Sequence, residues 1–505
     1  MKRPNLITHG QSALKEKPVE STAFVAFILL MLVSLFTYVP WRDEAQSYLL
    51  IRDLSFSGLF HQLRYEGHPL AWYALLFPWI KMGLPIGVQN VLSSSLAVGS
   101  AYIILFKAPF QRTVKVLFLL SSPILFMFSV VGRSYALLAF LLLLILAIHP
   151  ERYRRRYLVY GVSLFLLINT HLYAAVIAGA LLVADITTYK KGGWKDKHVG
   201  FVGSMFAAGT VLLFMTNYPG SFYTQYQQHY LHSTALSKSL ISMSLFVQSV
   251  FALFYASLPG AYTLLLNVHR LLFTELAYMV PYAALLVLFV LGLVVLSSNS
   301  TTRKYGLAFY LTCLFGMVVL TMLTRNYNEH MGGMLVLVLW GSLWLVYPTE
   351  RHKRSLILCG LTLVLLTNNY GLATYCLNHP FSGSKGAADY LLAENLDRSD
   401  TLMVSPNAEQ GSAILPYLKT IRQIKTPEGF ISFVDWRYWE NQTSTTPQEI
   451  KQLVGNEVSN DNYRHILLVL PKEDQQTTVP NVLPYPLLYS GPKALNENLQ
   501  IYKIK

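Results

Sequence analysis

Six short stretches of this chain carry residue types that can do chemistry. The first, Trp41-Arg42-Asp43-Glu44-Ala45-Gln46, sets two adjacent carboxylates beside an arginine directly after a long apolar run. Ionisable groups at the edge of apolar segments point to function, because withdrawing them from water is costly. The same residues also suit a solvated helix start with Asp43 as cap and Glu44 in the first turn. The second, Arg64-Tyr65-Glu66-Gly67-His68-Pro69, places a carboxylate and an imidazole around a glycine that permits a sharp turn, and Pro69 suits the first turn of a following helix. Such a pair can bind a metal, move protons or hold a hydroxylated substrate, or it can be a structural turn; two ligands are too few to define zinc.

The third, Gly132-Arg133-Ser134-Tyr135, sets a lone arginine between two apolar runs. Its planar fork fits a phosphate, though a snorkelling arginine has the same appearance. In the fourth, Asn169-Thr170-His171-Leu172-Tyr173, a histidine sits within the apolar run 157–187, which reads as a hairpin turning there. The fifth, Asn217 to Tyr230, is dense in Tyr, Gln and His, a composition shared by carbohydrate-binding loops and interfacial aromatic belts. The sixth, Arg325 to Gly333, offers Arg325 as a second phosphate contact with Glu329 or His330 as its partner.

The elements that must position these residues are membrane helices. A bilayer core takes roughly 20 mostly apolar residues per helix, and runs near that length recur at 21–40, 85–106, 113–131, 133–149, 157–187, 198–217, 278–297, 304–323, 331–347 and 355–372. The first has a basic leader but ends in Tyr-Val-Pro-Trp rather than at a small-residue cleavage site, so it reads as an uncleaved span. Basic clusters at 149–156, 190–197, 303–304 and 351–354 assign their loops and the N-terminus to the cytoplasm. Parity then puts most of the six stretches on the opposite face. The count closes if 68–82 is a re-entrant or interfacial helix, and residues 237–275 cross twice or not at all, giving 11 or 13 spans.

The expected organisation is a cytoplasmic leader over 1–20, a multi-span membrane domain over 21–377 whose first external loop is 41–67, and a soluble extracytoplasmic α/β domain over 378–505. In that last segment 384–396 is amphipathic, while 401–405 and 465–471 read as strands. It contains no phosphate-binding or nucleophile motif. Charge divides at the same place: residues 1–377 carry 28 Lys and Arg against 12 Asp and Glu, and 378–505 carry 12 against 14. The basic excess therefore belongs to the apolar part, where it orients spans and does not indicate a nucleic-acid partner. With 53% hydrophobic and only 13% charged residues, a soluble enzyme is excluded. Three cysteines (Cys313, Cys359, Cys376), none at CxxC spacing, supply neither a disulfide framework nor a zinc cluster.

A membrane span followed by Asp43-Glu44-Ala45-Gln46-Ser47-Tyr48 and then Glu66-Gly67-His68-Pro69-Leu70-Ala71-Trp72-Tyr73 resembles the GT-C superfamily of integral membrane glycosyltransferases, most closely glycosyltransferase family 39, which includes protein O-mannosyltransferases and aminoarabinose transferases. The resemblance by motif covers roughly the first 190 residues, and the rest by architecture alone. It implies Asp43 as catalytic base, with Glu44 beside it. His68-Pro69 falls at the family's His-Pro-Pro-like helix start, and Arg133 and Tyr135 fall where the family often has an acidic-Ala-Arg segment. Leu70 replaces the second proline, and no carboxylate flanks Arg133.

The implied reaction moves a sugar from a polyprenyl-phosphate donor to the hydroxyl of a lipid, glycan or protein acceptor, outside the cytoplasm and by preference at a bacterial inner membrane. Arg64, Glu66, His68, Arg133, Tyr135, His171, Arg325, Glu329 and His330 are the expected substrate contacts. No cofactor is required for a lipid-monophosphate donor. A pyrophosphate donor would call for Mg or Mn, with Asp43, Glu44, Glu66 and His68 as available ligands. Two other classes remain open: a flippase or transporter of lipid-linked sugars, whose polar residues should lie near the bilayer midplane, and a membrane transferase of another group.

Overall fold

The computed structural model describes residues 17–121, 123–149, 155–188, 197–218, 301–324, 330–346, 379–405, 408–421, 424–426, 429–436, 463–472, 485–492, 494 and 497–505. The chain forms two compact units. The first comprises residues 1–34, 68–72 and 93–374; the second comprises 35–67, 73–92 and 375–505.

Apolar helices dominate the first unit. Helix α1 (Pro18–Thr37) buries Ala23, Phe27 and Met31 along one stripe, while Val25, Leu29, Val33 and Phe36 are exposed. An outward apolar surface of that extent belongs against lipid rather than water. Among the described residues three helices are long and apolar enough to cross a membrane: α1, α5 (Val88–Phe106) and α10 (Lys197–Asn217). Shorter helices accompany them, namely α6 (Arg112–Leu119), α7 (Tyr135–Ile148), α8 (Tyr157–Ile168) and α9 (Leu172–Thr188). Two further helices, α11 (Thr301–Thr324) and α12 (His330–Val346), follow. Of the expected spans, 278–297, 355–372 and the segment 237–275 lie outside the described residues.

The run 113–131 differs from the single span expected of it. It breaks into α6 and a π-helical turn at Pro123–Met127. A proline removes one amide donor and collides with the carbonyl four residues earlier, and four residues before Pro123 is Leu119, the last residue of α6. Trp340 of α12 stacks on Phe118 of α6 at 3.7 Å between ring centroids. The expected hairpin is present: α8 and α9 turn at Asn169-Thr170-His171.

The second unit holds the loop after α1 together with the C-terminal segment. Its helices are α2 (Arg42–Asp53), α3 (Phe56–Glu66) and α13 (Ser384–Ala393). Ser55 caps α3 by accepting from Gly58 N at 3.1 Å, and Gly67 ends it at φ 66°, a left-handed conformation that costs glycine nothing. Helix α4 (Leu70–Lys81), whose residues 70–72 belong to the first unit and whose remainder belongs to the second, follows; at about 1.5 Å per residue its 12 residues span about 18 Å, well short of a bilayer core. The sheet contains β1 (Thr401–Val404), β4 (His465–Pro471), β6 (Leu499–Lys503) and β5 (Leu487–Ser490), in the order β1-β4-β6-β5. Strands β1 and β4 are parallel, and the other two pairings are antiparallel. A separate hairpin joins β2 (Ile424–Thr426) and β3 (Gly429–Ile431). Leu402, Val404, Ile466, Leu468, Leu470 and Tyr502 form the core of the main sheet.

Candidate functional site

In the second unit the adjacent carboxylates at 43 and 44 occupy opposite environments. Trp41, not Asp43, is the cap of α2, so both acids lie in the first turn, where the exposed amides of a helix start favour negative charge. Glu44 is 0% exposed, and both its oxygens are engaged. One accepts from Tyr38 Oη at 2.7 Å and from Trp41 N at 3.1 Å; the other accepts from Asn90 Nδ2 at 2.7 Å. Gln89 Nε2 also donates to the Glu44 carbonyl, at 2.9 Å. The Asp43 side chain is 34% exposed and has Arg42 Nε at 3.9 Å. Glu44 thus holds the turn, while Asp43 is the carboxylate of the pair that solvent or a substrate can reach.

Glu66, at the end of α3, gathers a different set of partners. Gln46 Nε2 donates to both of its oxygens at 3.1 Å, Trp436 Nε1 donates at 3.2 Å and Gln62 Nε2 at 3.5 Å. Burial pushes the Glu66 carboxyl up to about 7 even though those three donors favour its ionised form, and nearby Asp435 adds to the rise. The Gln46 amide also acts as a surrogate backbone unit for the 431–436 segment: Nε2 donates to Val434 O at 2.7 Å and Oε1 accepts from Val434 N at 2.9 Å. Arg64 is exposed in the last turn of α3.

In the first unit four of the expected residues come together. Arg133, 5% exposed, approaches His68 Nε2 at 2.7 Å. Arginine can only donate, so His68 Nε2 accepts and the ring's proton resides on Nδ1. The His68 and His171 rings are 5.8 Å apart, and Tyr135 lies 5.9 Å from His171. His171 Nδ1 accepts from Tyr173 N at 3.2 Å, which fixes this imidazole as the neutral Nε2–H form. The hairpin tip is tied to the start of α4 by Ala71 N donating to Asn169 O at 2.8 Å, and to α10 by Asn169 Nδ2 donating to Gly209 O at 3.1 Å. The Arg133 side chain is therefore buried against His68 and does not reach outward as a snorkelling arginine would; a buried guanidinium of this kind suits an anion.

Arg325 and Glu329 lie outside the described residues, as does the 219–230 part of the aromatic loop; position 330 begins α12. The residues named for a divalent ion do not fit one as arranged. Glu66 is surrounded by three amide and indole donors, His68 Nε2 is occupied by Arg133, and no group of three metal-ligating side chains occurs among the described residues. Sequence reasoning passed over Trp436 and Asp435, which lie near Glu66, and Glu409 and Glu497, which contact Arg42, all of them far along the chain from those partners. Gln46 was in view within the first motif, but nothing in its spacing marked it as a ligand of Glu66.

No family model matches the sequence, and no curated protein matches it. The chain is similar to two solved structures of ArnT from Cupriavidus metallidurans, one in the apo state and one bound to undecaprenyl phosphate. Each aligns over 96% of this chain and 97% of that chain, at 12% identity and a TM-score of 0.44. Likeness at that level leaves the chemistry to be argued from the residues themselves.

Proposed function

We propose that this protein is a multi-pass membrane glycosyltransferase of the GT-C type, most like family 39, that moves a sugar from a polyprenyl-phosphate donor to an acceptor hydroxyl on the non-cytoplasmic face. The observation that carries this reading is the division of labour at the first motif: Glu44 is consumed in holding the turn and Asp43 is left reachable. The resemblance of the 43–48 and 66–73 segments to that superfamily supports it, as does the buried Arg133.

In the proposed reaction Asp43 accepts the proton of the acceptor hydroxyl as its oxygen bonds to the anomeric carbon. The bond from that carbon to the donor phosphate oxygen breaks, and its electron pair leaves with the lipid phosphate. Arg133, buried within its own unit, has the chemistry that charge growing on a lipid phosphate calls for. A guanidinium already desolvated and oriented stabilises developing charge without reorganising, which is the largest kind of contribution a site makes. His68 holds the guanidinium in place through Nε2. A monophosphate leaving group needs no divalent ion in this scheme.

The test is sugar release from labelled polyprenyl-phosphate sugars by purified wild type and Asp43→Asn, matched for folding, with and without chelator. Asp43→Asn should lose about 10²-fold or more in kcat, the usual size of a general-base contribution. Turnover that survives the substitution undiminished would remove Asp43 from the chemistry. Binding of donor without turnover by either protein would favour a carrier of lipid-linked sugars.

A further inference from the structure

The first amides of a helix have no acceptor within it and must find one elsewhere. For α2, which carries Asp43 in its first turn, that acceptor is supplied by the far end of the chain. Arg42 N donates to Glu497 Oε1 at 3.3 Å, across 455 residues of sequence. The Arg42 guanidinium reaches Glu409 Oε2 at 3.2 Å. Just upstream, Ser384 Oγ donates to Pro40 O at 3.3 Å, and Phe381 packs on Tyr38 and Trp41 at 4.9 and 6.1 Å between ring centroids. Three separate pieces of the C-terminal segment therefore grip the five residues that lead into Asp43.

Glu497 is itself held in an unusual conformation for this purpose. Its φ is +39°, in the left-handed region that non-glycine residues adopt only when their surroundings impose it. Gly383 N donates to Glu497 O at 3.2 Å, and a Cβ on residue 383 would come within 2.4 Å of that oxygen. A side chain at 383 would force that backbone approach apart, so glycine there keeps the Glu497 backbone in its place. The carboxylate is buried, and a buried acid needs a reason to be there.

We propose that Glu497 is a positioning residue for Asp43, accepting the Arg42 amide and so fixing the first turn of α2, with Glu409 steadying the Arg42 side chain. This rests on the reading of Asp43 as the base. It assigns Phe381, Ser384, Glu409 and Glu497 of the C-terminal segment the task of setting the geometry of the first loop, not merely of covering it.

The experiment uses the full chain in detergent and compares wild type with Glu497→Ala, Glu497→Gln, Glu497→Asp and Gly383→Ala, with Asp43→Asn as reference. The readouts are hydrogen exchange at the Arg42 amide, and kcat and KM on a radiolabelled polyprenyl-phosphate hexose, per folded molecule. Glu497→Ala should speed Arg42 exchange and lower kcat by about tenfold or more, with the donor KM within about threefold of wild type, because a misplaced base costs rate rather than binding. Glu497→Gln keeps an acceptor oxygen at the same reach and should restore both. Glu497→Asp, one methylene shorter, and Gly383→Ala should reproduce the defect by drawing that oxygen away, so a poorly folding alanine variant does not end the test.

Wild-type exchange at Arg42 in Glu497→Ala overturns the proposal, and so does an unchanged kcat when Asp43→Asn is inactive. Full activity of Asp43→Asn would instead sink the base assignment, leaving the exchange result to report whether Glu497 orders the turn.

Discussion

Burial, rather than residue type, separates the acids of the first loop. Asp43 and Glu44 have nearly the same chemistry, yet one carboxylate is closed in by Tyr38, Trp41 and Asn90 while the other stays reachable. Arg133 is the complementary case of a cation drawn inside beside neutral His68. Arg133→Ala should lower kcat by about 10²-fold or more, the scale of losing one oriented charge stabiliser, and Arg133→Lys should recover only part of it because a point charge lacks the planar fork. Steady-state kinetics on the wild-type donor would check both. Stability carries its own pH signature. Burial pushes Glu497 and Glu66 up to about 7, so between about 4.5 and 7 the folded chain holds protons that the unfolded chain has released. Their contribution is complete below the unfolded value and is lost as pH rises through about 7. Melting temperature in detergent should therefore fall from pH 5 to 7.5 and level off above, and Glu497→Gln should flatten part of that slope.

Helices α2 and α3 are short, and their ends matter more than their middles. Ser55 starts α3, and Gly67 ends it in the left-handed region just before the chain reaches His68. Gly67→Ala should cost about 1 kcal/mol through strain at that cap, seen as a lowered melting temperature at constant pH, with Ser55→Ala costing a similar amount. A Cβ at 67 would meet nothing within 4 Å, so strain and not collision is what the first variant tests. Helices α8 and α9 and their turn were legible in the sequence because Asn169, Thr170 and His171 interrupt an otherwise apolar run. Strands β1 and β4 were legible as short apolar runs bounded by polar residues. Strands β5 and β6 were not: Tyr489, Ser490, Gln500 and Lys503 break their apolar character, and the pairing of β6 with β4 and of β5 with β6, not propensity, makes them strands. The break at Pro123 was missed because hydropathy counts a proline among apolar neighbours as one more apolar position, although its ring ends the helix at Leu119.

At the scale of the whole molecule, the C-terminal segment shares a compact unit with residues 35–67 and 73–92. Arg52 Nη1 donates to the carbonyls of Leu415 and Leu418 at 3.0 and 3.1 Å, and Gln46 pairs with both the N–H and the carbonyl of Val434. A fragment of residues 378–505 made alone would leave those backbone groups and the surface beneath them without partners, each unmet buried group costing about 1–3 kcal/mol. Such a fragment should show poor dispersion in NMR spectra and easy proteolysis, and a well-folded fragment would show that the loop helices are dispensable to it. Composition and the spacing of apolar runs determined, without coordinates, that this is a chain of membrane helices with a polar, near-neutral tail, and they picked out Asp43, Glu66, His68 and Arg133 as the groups to watch. Both signals are local, since hydropathy and motif spacing are properties of neighbouring residues. Which carboxylate is buried, which histidine meets the arginine, and that an acid at 497 takes up the amide at 42 were decided only by tertiary structure, because those partners are brought together by folding across tens to hundreds of residues and leave no periodic trace in the sequence.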